Sequence, residues 1–102
     1  MPKYVIAYLG GKKFEKPQDG AAHMAKWKAW IAGLGDAVVN PGTPLGKSKL
    51  VSSSGVSEAG TDRLTGFSIV AADSMKAALD MAQRCPFLDI GEIQVAEVME
   101  MK

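Results

Sequence analysis

Apolar positions repeat along this chain with two periods, and the switches between them outline its elements. In residues 4–9 (YVIAYL) both alternating sets are apolar, Tyr4, Ile6 and Tyr8 against Val5, Ala7 and Leu9, which predicts a strand covered on both faces. Gly10 and Gly11 end it, and a lysine-rich loop leads past Pro17 to Asp19, placed to cap a helix over residues 20–36. On a wheel of 3.6 residues per turn Trp30, His23, Leu34, Trp27, Ile31 and Met24 share an arc of roughly 120°. Alanines occupy the opposite side, with Lys26 and Lys28 at the margins, so one histidine sits inside the apolar stripe. Gly33 and Gly35 mark the helix end, and the β-branched residues 36–40 predict a second strand that Pro41 and Gly42 stop.

Beyond a loop, residues 48–52 and 56–58 flank Ser53, Ser54 and Gly55 as a small exposed hairpin. Residues 64–72 (LTGFSIVAA) alternate Phe67, Ile69 and Ala71 against Gly66, Ser68 and Val70, a third main strand. Asp73 and Ser74 cap a second helix in which Met75, Ala78, Leu79 and Ala82 repeat at helical spacing; Cys85 ends its stripe and Pro86 stops it. Residues 92–101 form a last strand with one more polar face. This order is the split βαβ pattern of an α+β, ferredoxin-like antiparallel sheet, βαββαβ with a small inserted hairpin. Two helices cover one face of four strands. The apolar second face of residues 4–9 therefore calls for a partner, and a homodimer joined sheet to sheet supplies it.

The length of 102 residues fits one domain over residues 1–102. Hydrophobic residues at 47% and charged residues at 23% exclude a disordered composition. No apolar run is long enough for a membrane span or a signal peptide, which sets a cytoplasmic protein with no membrane role as the expectation. A net charge of +1 argues against a nucleic-acid binder. The halves differ, however: residues 1–51 carry eight lysines against three acids, net +5, and residues 52–102 four bases against eight acids, net −4. Either both halves present solvated faces, or Lys3, Lys12, Lys13 and Lys16 attract an anion to a mouth near the first helix, with Lys12 and Lys13 its anion-binding residues.

Candidate chemistry is sparse. The single cysteine allows neither an intrachain disulfide nor a cysteine cluster, and the single histidine has no neighbouring ligand, so no metal is expected. Residues 42–48 (GTPLGKS) miss the phosphate-loop spacing and read as a turn. His23 has two readings: a core histidine with its nitrogens satisfied, or a general acid/base kept neutral by burial among the tryptophans. Cys85 is a small buried apolar residue unless it stands close to His23. Both belong to stripes packed on one sheet face, which predicts that they line one cavity roofed by Trp27 and Phe87.

The runs His23-Met24-Ala25-Lys26-Trp27, Asn40-Pro41-Gly42, Thr65-Gly66-Phe67-Ser68-Ile69-Val70 and Cys85-Pro86-Phe87 resemble the YCII-related family, the group that also holds the DGPF-domain proteins. The resemblance spans nearly the whole chain and implies a dimeric α+β barrel of ferredoxin-like subunits, in a superfamily of cofactor-free monooxygenases, isomerases and lyases. It implies a site that pairs the helix histidine with an aspartate just before the Pro-aromatic pair. Here those positions are His23 and Cys85, and residues 52–56 stand where the Asp-Gly-Pro-Phe signature would be. Two functions stay open. One is a small cofactor-free lyase or isomerase acting on a small organic molecule, with His23 as general acid/base and Tyr4, Tyr8, Trp27, Trp30 and Phe87 as pocket walls. The other is a non-catalytic dimeric module that binds a small ligand or supports another protein.

Overall fold

The computed structural model describes residues 1–12, 14–60 and 63–99. The elements run β1 (Lys3–Leu9), α1 (Pro17–Leu34), β2 (Val38–Asn40), β3 (Lys49–Ser52), β4 (Gly55–Glu58), β5 (Leu64–Ala71), α2 (Met75–Gln83) and β6 (Glu92–Glu97). Short 3-10 turns at Gly35–Ala37 and Pro86–Asp89 follow the two helices. Four strands form one antiparallel sheet in the order β2-β5-β1-β6, while β3 and β4 pair only with each other. This is the α+β, ferredoxin-like arrangement with an inserted hairpin that the sequence order implies.

The alternation in β1 sorts its side chains. Tyr4, Ile6 and Tyr8 are buried under the helices together with Ser68 and Val70 of β5, and the register brings Val95 and Ile93 of β6 opposite Ile6 and Tyr8. Ala78 and Ala82 are the buried positions of α2, small enough to let that helix lie close to the strands. The Ser74 hydroxyl caps it by accepting a bond from the Ala77 amide at 3.2 Å. Trp27, Trp30 and Leu34 of α1 pack against the core, yet no α1 residue is fully buried. The reason is positional: the N-terminal half of that helix stands over a cleft rather than over packed side chains.

Several boundaries differ from the sequence reading. α1 starts at Pro17, with Lys16 at the N-cap, so Asp19 lies in the first turn instead of capping it; proline is well tolerated at that first position. Gly35, at φ +57°, ends α1, and a 3-10 turn takes the first residues assigned to β2. α2 ends at Gln83, so Cys85 follows the helix rather than finishing its stripe. β6 ends at Glu97; Val98 and Met99 lie outside it, and the remainder of the strand expected over 92–101 falls outside the described residues.

The face of the sheet away from the helices carries Val5, Ala7 and Leu9 beside Ile69 and Phe67, all half-buried. The hairpin stands apart, every residue of β3 and β4 exposed, including Leu50, Val51 and Val56.

Candidate functional site

Five segments meet at one end of the sheet and enclose a cleft of about 330 Å³. The end of β1 contributes Tyr8, the start of β5 Thr65, Gly66 and Phe67, and α1 His23, Met24, Trp27 and Lys28. The loop after β2 adds Gly42, Thr43 and Pro44, and the turn after α2 adds Phe87 and Ile90.

Local backbone rules explain why the cleft forms here. The β1–β5 register slips between Tyr8 and Leu9, so that Thr65 is an extra residue whose hydroxyl bonds the Tyr8 carbonyl at 3.1 Å. Opposite Tyr8 stands Gly66, where any Cβ would come within 3.2 Å of the tyrosine ring and 3.4 Å of the Thr43 carbonyl. The loop can therefore lie across the strand, bonded from the Leu45 amide to the Thr65 carbonyl at 2.9 Å. Gly42, at φ +79°, presses so close that a Cβ would overlap the Phe67 carbonyl.

A directed hydrogen-bond chain crosses the floor. Ser68 Oγ lies 2.7 Å from the Pro41 carbonyl, which can only accept, so the serine proton points there. Tyr8 must then donate to Ser68 at 2.8 Å, and the Trp27 indole donates to the tyrosine oxygen at 3.2 Å. Burial raises the Tyr8 pKa against the opposing effect of these bonds to Ser68 and Trp27. The phenol is neutral at pH 7 and its proton is committed.

Rings hold the remaining wall. Tyr8 meets Trp27 edge-on at 6.4 Å and Phe87 at 5.2 Å between centroids. His23 lies 6.5 Å from Phe87 and 5.3 Å from Phe14. Such contacts contribute about 0.5–1.5 kcal/mol each and fix ring orientation. The histidine is half-buried between phenylalanines rather than buried among tryptophans, and among the described residues no protein hydrogen bond to its ring is found.

Of the residues singled out in the sequence, His23, Tyr8, Trp27 and Phe87 share this cleft. Cys85 does not. It is 3% exposed in the core behind Tyr8, and burial pushes its thiol up to about 11, outweighing the lowering effect of a backbone bond at Phe87. The expected common cavity of His23 and Cys85 is corrected accordingly: once α2 stops at Gln83, the chain turns Cys85 inward and presents Phe87. Tyr4 is a core residue near the other end of β1, and Trp30 donates its indole N–H to the Met81 carbonyl at 3.0 Å, joining the helices. Lys12 is exposed and outside the lining, Lys13 lies outside the described residues, and Lys3 starts β1 at its far end, about 17 Å from Tyr8 at strand rise. Sequence reasoning missed Thr65, Ser68, Lys28 and the 42–44 loop. A polar Ser68 in the buried register and a glycine inside a strand were the available signals.

A sequence profile described as the YCII-related domain matches residues 3–102. The chain belongs to the YCII-related family. No curated protein sequence matches this YCII-related chain significantly. Among solved structures it is similar to 5-chloro-2-hydroxyhydroquinone dehydrochlorinase from Burkholderia phenoliruptrix AC1100, solved in complex with 2,5-dihydroxybenzoquinone. The TM-score is 0.62 at 17% identity, covering 97% of this chain and 95% of that one, a likeness of fold. Among the described residues no helix of the YCII-related chain is long and apolar enough to cross a membrane.

Proposed function

We propose that this YCII-related protein is a small-molecule enzyme of the lyase or isomerase type that needs no cofactor, with His23 moving the proton. One observation carries the reading: His23 lines the cleft, and among the described residues no protein group is hydrogen-bonded to its imidazole, so the ring is the lining group left to accept or deliver a proton. The other candidates are committed elsewhere, Tyr8 to Ser68 and Cys85 to the core as a neutral thiol. The similar dehydrochlorinase, whose name describes loss of hydrogen chloride from a hydroxylated ring, adds support for proton-transfer chemistry in this fold. The rival reading, a module that only binds, suits a packed histidine with satisfied nitrogens better than an open one.

The test uses two probes and wild-type protein beside His23→Asn. 1,2,4-Trihydroxybenzene in D2O reports ring C–H exchange by NMR, and 5-chloro-2-hydroxyhydroquinone reports chloride release. The expected result is catalysed exchange or release that falls at least about 100-fold in the variant, the size of a positioned general base. Rates equal to buffer with both probes, or an Asn variant as active as wild type, overturn the assignment.

Two copies of the chain are further proposed to pair through the sheet face away from the helices, where Val5, Ala7, Leu9, Phe67 and Ile69 are only half-buried.

A further inference from the structure

We infer that the cleft takes a planar, single-ring molecule bearing an anionic oxygen, and that Lys28 is the residue that holds that oxygen. The inference rests on the cleft being a ligand site, as proposed above, and adds the chemical class of the ligand and a binding residue. Three observations converge on it.

The first is charge. Lys28 lines the cleft, and among the described residues no aspartate or glutamate does. A bound anion there meets the lysine's positive charge, with no carboxylate among the described lining residues to oppose it. The second is that Lys28 is uncommitted. Its helix neighbours at three and four positions are Ala25, Met24, Ile31 and Ala32, none acidic, and the ion pair found among the described residues is Lys49 with Glu58 on the hairpin. The third is shape. Tyr8, Trp27 and Phe87 present ring surfaces, which favour a flat π-system. About 330 Å³ is roughly twice the 150 Å³ of an engineered cavity that accepts benzene, room for one substituted ring. His23 and Lys28 are five residues apart, about 7.5 Å along the helix axis and about 140° around it, so they stand at the two margins of the arc of α1 that lines the cleft, with Trp27 and Met24 between them.

Lys28 thus becomes the anion-holding residue, whereas Lys12 stands outside the lining. A long side chain at the helix margin can lay its methylenes along Trp27 while the ammonium stays at the mouth.

The experiment compares benzoate, its neutral isostere benzamide, and cationic benzylamine, each titrated into the full chain and followed by the Trp27 indole and backbone amide resonances. Benzoate is expected to perturb Trp27, Gly66 and Phe87 and to bind at least about fivefold more tightly than benzamide, with benzylamine weakest. Added salt should weaken benzoate and leave benzamide unchanged. Lys28→Met, which keeps helix propensity, should bring benzoate to the benzamide level, and Lys28→Arg should restore the preference. Benzamide or benzylamine binding as well as benzoate, a Lys28→Met variant with unchanged preference, or no perturbation of cleft residues at millimolar benzoate would each overturn the inference. His23→Asn separates it from the catalytic reading. If that variant retains benzoate selectivity while wild type shows no proton-transfer activity, the ligand assignment stands and the catalytic one fails; active wild type without benzoate preference gives the reverse.

Discussion

Replacing Tyr8 by Phe removes one oxygen from the centre of the Trp27–Tyr8–Ser68–Pro41 chain and leaves the ring in place against Phe87. The Trp27 indole loses its acceptor in a part-buried position, and Ser68 keeps its bond to the Pro41 carbonyl but loses the proton it received. An orphaned donor of this kind costs about 1–3 kcal/mol, and an empty serine lone pair less. A total near 2 kcal/mol is expected, which for a domain of this size lowers Tm by about 8 °C. Ser68→Ala should cost a similar amount because it strips both Tyr8 and Pro41. The decisive measurement is the double-mutant cycle, by urea unfolding followed through tryptophan fluorescence at fixed protein concentration. Since both substitutions break the same Tyr8–Ser68 bond, the double variant should be more stable than the sum of the singles implies by about 1 kcal/mol. Additivity within about 0.3 kcal/mol, or a Tyr8→Phe protein as stable as wild type, would refute the directed chain.

Two further outcomes test the buried thiol and the sheet face away from the helices. Cys85 is held near 11 in the folded chain against an ordinary value of 9.0, so its contribution is present below pH 9 and fades as pH rises toward 11. The stability gap between wild type and Cys85→Ala should therefore narrow by about 2 kcal/mol from pH 8 to pH 11 in urea titrations, and a gap that stays constant contradicts the burial argument. Ile69→Asp, on that face, should shift the mass seen by light scattering from a pair of chains to a single one, whereas a wild-type protein that is already monomeric at micromolar concentration removes the pairing proposal.

Much of this was legible from period alone. The two-fold alternation in β1 and β5 and the caps of α2 gave those elements nearly to the residue, because each depends on local chemistry. The start of α1 was misread because Pro17 resembles loop punctuation as much as a first helical residue. A helical wheel placed Trp27 and Trp30 together but could not say that one faces the end of a strand and the other the second helix. Cys85 failed for a related reason: the wheel extrapolated a helix that had already ended. The 42–44 lip was invisible, since the loop's path across the strand is decided by close contacts of Gly42 with Phe67 and of Gly66 with Thr43, which join residues more than 20 apart in sequence.

The strand order has a consequence for how the chain must assemble. Cut in thought at the hairpin tip, the chain yields a first half holding β1 and β2 and a second holding β5 and β6, and in the order β2-β5-β1-β6 the halves alternate. Every strand of the main sheet has neighbours only from the opposite half. Neither half can begin the sheet alone, so the nucleus of folding joins residues far apart in sequence and bears the loop-closure entropy at the outset. The exposed hairpin that links the halves takes no share in those ladders, so the pairing of the main sheet is held, like the teeth of a zip, by the two pieces alone.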